Sequence, residues 1–179
     1  MVIAAATRAS IGHGPPPARP GCLRLLQSAY NPGVDADTEL RLAIYRHIAA
    51  NAVAPSVTQM SRALGRSAAE IRAAYQRLYA RRVLVLQDDG ESIRMAPPFS
   101  GVETQHRVRV GDKEYFANCA WDALGVPAAL HAAGQVSSRC EQSLEPLSIR
   151  VGRDGPEPVP CVIHFAVPAA HWWDDIVYT

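Results

Sequence analysis

The chain has 179 residues, is 48% apolar and 20% charged, and carries a formal net charge of +1. That is enough for one or two small domains with a real core, and the near-neutral charge argues against bulk attraction to nucleic acid or an acidic membrane. No apolar run nears the roughly 20 residues that span a bilayer, and residues 1–6 lack the charged start of a signal peptide, so the expected compartment is the cytoplasm.

Residues 1–22 read as a disordered tail. Gly12, Gly14, Pro15, Pro16, Pro17 and Pro20 sustain neither a helix nor a central strand. Leu23, Leu25 and Leu26 form a short apolar turn that stops at Asn31-Pro32-Gly33. Asp35 or Asp37 then caps a helix to about Asn51, with Leu40, Ala43, Ile44 and Ile48 on its apolar face. A short helix over 58–64 is ended by Gly65. Ser67 and Glu70 form a capping box that opens a third helix. Its buried stripe is Ile71, Ala74, Tyr75 and Leu78. Residues 83–86, the turn Asp88-Asp89-Gly90 and residues 92–95 read as a β-hairpin. Three helices and a hairpin predict a winged-helix-like N-terminal domain over 23–97, bounded by Pro97-Pro98. Arg66, Arg72, Arg77, Arg81 and Arg82 are its candidate phosphate contacts. Glu70 on the same helix and the neutral chain weigh against nucleic-acid binding.

Residues 98–179 read as a second, mixed α/β core, making the fold class α+β. Residues 107–110 alternate like a strand, Gly111-Asp112 turns, and 114–116 return. Asn118 caps a helix to Val126 and beyond, with a kink or restart at Pro127. Residues 136–139, 147–151 and the strongly apolar 161–167 read as strands, with a loop over 152–160. Trp172 and Trp173 read as a helical turn that packs aromatics onto the sheet.

Within this half, Cys119 and Asp122 lie three residues apart. On a helix, that spacing puts thiol and carboxylate on one side, one turn apart. With Asn118 as N-cap, Cys119 takes the first helical position, where the helix dipole and unpaired N–H groups favour a thiolate. The pair proposes a soft nucleophile or metal ligand with a proton carrier beside it. The plainer alternative makes Cys119 a small buried apolar residue and Asp122 a first-turn acid. The other cysteines are Cys22, Cys140 and Cys161. None of the four forms a C-x-x-C pair, and free thiols are expected. Cys140 and Cys161 read as core residues. His164 and His171 have no second metal ligand at a convincing spacing.

Three features in order resemble the alkylmercury lyase (organomercurial lyase) family: Cys119-x-x-Asp122 at a helix start, Pro127 after it, and Ser137-Ser138-x-Cys140. The resemblance spans roughly residues 24–179. It implies a helical domain before a catalytic core, and cleavage of the carbon–mercury bond of R–Hg⁺ by protonolysis to a hydrocarbon and Hg(II). By this resemblance Cys119 is the first mercury-binding thiolate, Asp122 the acid and Cys140 a structural cysteine. Mercury is then substrate and product, with no organic cofactor. Small thiols and a mercuric reductase are the implied partners in mercury detoxification. The resemblance also implies a second catalytic cysteine after the segment 169–179. The chain ends at Thr179, so the expectation is a truncated core whose last strands are missing. Two alternatives stay open: a winged-helix transcription regulator with a thiol metal-sensing domain, and an inactive lyase-like Hg(II)-binding protein.

Overall fold

A computed structural model describes residues 35–178. The tail, the turn at Leu23–Leu26, the stop at Asn31-Pro32-Gly33 and Cys22 lie outside the described residues. Residues 35–161 form one unit, and residues 162–178 belong to another.

The first unit opens with three helices: α1 (Ala36–Asn51), α2 (Val57–Leu64) and α3 (Ala68–Ala80). Their starts are chemically explicit. Asp35 caps α1, its carboxylate accepting from the backbone N–H groups of Asp37 and Thr38. Ser56 with Gln59 and Ser67 with Glu70 form capping boxes on α2 and α3. Gly65 ends α2 at φ 65°, a left-handed conformation that costs glycine little. Leu40, Ile44 and Ile48 of α1, Val57 and Met60 of α2, and Ile71, Ala74, Tyr75 and Leu78 of α3 are buried together. Each fully buried large side chain contributes about 1.5–3 kcal/mol. Arg77 of α3 grips the buried Asp37 carboxylate through Nε at 3.0 Å and Nη2 at 2.6 Å. The bidentate pair ties the two helices and holds the Asp37 carboxyl below the usual carboxylate range.

Arg77 is one of the five arginines read as candidate phosphate contacts, and others are also engaged within the chain. Arg66 pairs with Glu39, Arg72 with Glu91, and Arg81 lies 3.9 Å from Asp37.

Three short strands follow: β1 (Val85–Leu86), β2 (Ile93–Ala96) and β3 (Phe99–Ser100), all antiparallel in that order. The expected hairpin is β1–β2. The Pro97-Pro98 pair turns the chain from β2 into β3.

A second sheet is built from β4 (Arg107–Val110), β5 (Lys113–Phe116), β6 (Gly134–Arg139), β7 (Pro146–Gly152) and β8 (Gly155–Pro156). Its order is β5-β4-β6-β7-β8, and every pairing is antiparallel. Gly111 makes the tight β4–β5 turn at φ 62°. Tyr115, Val108, Val136 and Ile149 stand in one cross-strand row. Helix α4 (Ala120–Ala129) covers that face with Ala123, Val126 and Pro127. An isolated bridge between Phe99 and Ala117 joins β3 to the end of β5.

Two expectations need correction here. No strand forms over 161–167, and Cys161 is exposed rather than core. A strand exists only where another pairs with its N–H and C=O groups. Pro156, Pro158, Pro160 and Pro168 remove donors around this segment. The restart at Pro127 is also absent: α4 runs through it.

In the second unit, residues 169–174 form a 3₁₀ turn. Phe165 and Trp172 stack with centroids 5.0 Å apart, and Trp172 Nε1 donates to the Val167 carbonyl at 2.9 Å. No described helix is long and apolar enough to cross a membrane.

Candidate active site at the start of α4

The chain enters α4 from β5 through Ala117 and Asn118. Ala117 is pinned on both sides. Its N–H donates to the His106 carbonyl at 2.9 Å, and its carbonyl accepts from Thr104 Oγ1 at 2.7 Å. His106 is itself buried, with Nδ1 2.8 Å from Ser138 Oγ of β6. The backbone delivering the site is therefore held by the segment that leads into β4, with Ser138 of β6 behind it.

Cys119 is the N-cap of α4, not its first helical residue, and its backbone is extended at φ −149° and ψ 177°. Its Sγ accepts the N–H of Asp122 at 3.5 Å, doing with sulfur what Ser or Asp oxygen usually does at this position. Asn118, read from sequence as the cap, sits one residue outside. Its side chain turns instead to the carboxylate: Nδ2 donates to Asp122 Oδ2 at 2.9 Å and to the Phe99 carbonyl at 3.3 Å.

The structure thus brings Cys119 and Asp122 together, but their electrostatics differ from the dipole argument. Both are half-buried. Burial pushes the Cys119 thiol up, and the nearby Asp122 carboxylate pushes the same way. The N–H groups of Asp122 and Trp121 pull it down by less. Desolvation of a thiolate outweighs two weak N–H···S contacts. Burial also raises Asp122, with the Asn118 hydrogen bond opposing it. The site is one in which both groups are biased toward holding a proton.

Tyr45 of α1 reaches the same place. Its hydroxyl donates to the Pro97 carbonyl at 2.9 Å. Both Arg41 and Asp122 act on its phenol, which burial pushes up. Its ring meets Phe99 edge-on, with centroids 6.3 Å apart. Sequence reading missed Asn118 in this role, although its i,i+4 spacing to Asp122 is a local signal. Tyr45 and Phe99 had none, because the contacts that matter cross between elements.

The other candidates lie elsewhere. Cys140 follows β6 in the turn to β7, half-buried and outside the core cluster. Its Sγ accepts the Ser143 N–H at 3.5 Å. Cys161 is exposed. His171 faces Asp174, with Nδ1 3.0 Å from Oδ2, and His164 is exposed. Among the described residues, no group of three or more His, Cys, Asp or Glu side chains is arranged to hold a metal ion.

Residues 99–179 match the family model for alkylmercury lyase, MerB. Among solved structures, the mercury-bound form of MerB2 is similar, with a TM-score of 0.53 and 22% sequence identity. The likeness covers 66% of this chain and 58% of that one, and at this identity it shows a shared fold. The chain thus spans little more than half of that protein's length. No curated protein matches the sequence.

Proposed function

Because residues 99–179 match the family model for alkylmercury lyase, we propose that the chain acts as an organomercurial lyase, with Cys119 as mercury ligand and Asp122 as proton donor. The observation that carries this reading is the pairing at the start of α4. The Asp122 N–H points at Cys119 Sγ from 3.5 Å, and a half-buried carboxyl biased toward its acid form stands one turn away.

The chemistry follows from softness and proton balance. Mercury prefers sulfur to oxygen or nitrogen ligands. Displacement of the Cys119 proton by R–Hg⁺ forms the sulfur–mercury bond. The released proton goes to Asp122, whose burial favours the neutral acid. The acid then protonates the carbon bound to mercury. The electron pair of the carbon–mercury bond becomes the new carbon–hydrogen bond, so nothing is oxidised or reduced. Hydrocarbon leaves, Asp122 is again a carboxylate, and Hg(II) stays on Cys119 until small thiols in solution take it. The scheme calls for no organic cofactor, since mercury enters as substrate and departs as product.

The test is a headspace assay of the full chain with methylmercury and excess small thiol. Methane is expected from the wild type. Cys119→Ser should lose both methane and tight mercury capture. Asp122→Asn should keep capture while methane falls by about 10²-fold or more, the usual contribution of a general acid. Methane that survives Cys119→Ser would refute the assignment. Mercury held one-to-one by the wild type with no methane would leave a mercury-binding protein, not a lyase.

A further inference from the structure

We propose that Asn118 is the positioning residue of this site, clamping the Asp122 carboxyl to the backbone of β3 so that it stays beside the Cys119 thiol. The proposal rests on the lyase reading above for its kinetic consequence, but its geometry stands independently.

An amide nitrogen carries two hydrogens, and both are committed here. One goes to Asp122 Oδ2 at 2.9 Å, the other to the Phe99 carbonyl at 3.3 Å. The clamp therefore has a moving end and a fixed end. The fixed end is rigid for identifiable reasons. Phe99 is buried, bridges to Ala117, and packs its ring against Tyr45 and Tyr115. Tyr45 ties the preceding turn down through the Pro97 carbonyl. Asn118 thus links the reactive end of α4 to an element braced by α1.

Two further observations separate positioning from simple structural support. First, Thr104 and His106 already hold the backbone at Ala117, so the Asn118 side chain is not needed to shape the entry to α4. Second, Asn118 Oδ1 is buried without a hydrogen-bond partner among the described residues. A stranded buried acceptor works against stability. For the fold alone, an apolar side chain of similar shape such as leucine would remove the stranded Oδ1, while taking the Nδ2 donor from the Phe99 carbonyl and the Asp122 carboxylate. What leucine cannot supply is the pair of donors that fixes a carboxyl. Proton delivery to carbon is sensitive to placement, and an error of about 1 Å costs on the order of 10²-fold.

The experiment compares the full wild-type chain with Asn118→Leu and Asn118→Asp, using methylmercury and excess small thiol. The expected result is a fall in kcat of roughly 10- to 100-fold in both variants, with KM and one-to-one mercury capture unchanged, because Cys119 is intact. Asn118→Leu should melt within a few degrees of the wild type, because the loss of two donated hydrogen bonds is set against removal of the stranded Oδ1. Unchanged kcat would overturn the proposal, as would a loss confined to KM or one that tracks a lowered melting temperature. If the wild type yields no hydrocarbon, the lyase reading fails, and the clamp is judged from a crystal structure of Asn118→Leu. Asp122 swung from its wild-type rotamer would sustain the clamp. Asp122 unmoved would refute it.

Discussion

Replacement of Gly134 by alanine tests how α4 is seated on the sheet. Gly134 opens β6 beneath the end of α4. A Cβ placed there would lie 2.9 Å from Pro127 Cγ, 3.0 Å from Val110 Cγ2 and 3.1 Å from the Arg109 carbonyl oxygen. Comfortable carbon–carbon contact begins near ~3.5 Å, so the methyl overlaps its neighbours by about half an ångström on two sides. Pro127 is fully buried and cannot turn away, and the Arg109 carbonyl belongs to the ladder. Overpacking of this kind costs about 1–3 kcal/mol. Alanine recovers about 0.4–1 kcal/mol by restricting the unfolded chain. The net loss is then about 1–2 kcal/mol, or roughly 2–8 °C in melting temperature for a chain of this size. Adding Pro127→Ala removes the closest obstacle. The double variant should be less destabilised than the sum of the singles by about 1 kcal/mol. Thermal and urea unfolding of the four proteins gives the cycle. A Gly134→Ala chain that melts within 1 °C of wild type, or singles that simply add, would refute the packing account.

Two other predictions concern titrating groups. Burial holds the His106 imidazole below its usual range, with Arg139 adding to the effect and Glu141 opposing it. The unfolded chain therefore binds a proton at His106 more readily than the folded one, and stability must fall as pH drops below about 6.5. A slope that survives unchanged in His106→Gln would show that other groups carry it. The cysteines should also separate in reactivity. The hydroxyl and N–H of Ser143, with the Gln142 N–H, hold the Cys140 thiol below its usual range, whereas burial raises that of Cys119. Iodoacetamide at pH 7, followed by peptide mass spectrometry, should modify Cys140 on the order of tenfold faster than Cys119. The reverse order would mean that the thiol of Cys119 is far more exposed than its seat in α4 allows.

What the sequence determined by itself was local. Asp35, one of the two aspartates open as the first cap, the Ser67–Glu70 box and Gly65 mark helix boundaries through contacts within four residues, and the structure places caps at each. The stripe Ile71, Ala74, Tyr75 and Leu78 is buried as its period requires. The hairpin around Asp88-Asp89-Gly90 and the turn at Gly111 follow from turn chemistry. Cys119 and Asp122 meet because three residues separate them on one helix. Tertiary structure decided what those residues experience. Sequence position suggested a dipole-activated thiolate, yet burial under neighbouring elements reverses the direction of the Cys119 shift. Asn118 is a cap by propensity, but the Phe99 carbonyl, nineteen residues away, and the Asp122 carboxylate draw its amide elsewhere. The apolar run over 161–167 has strand composition, but strand formation depends on a neighbour to pair with, which composition cannot supply. Spacing along the chain sets which side chains share a face, whereas desolvation and pairing depend on what the rest of the chain brings against that face.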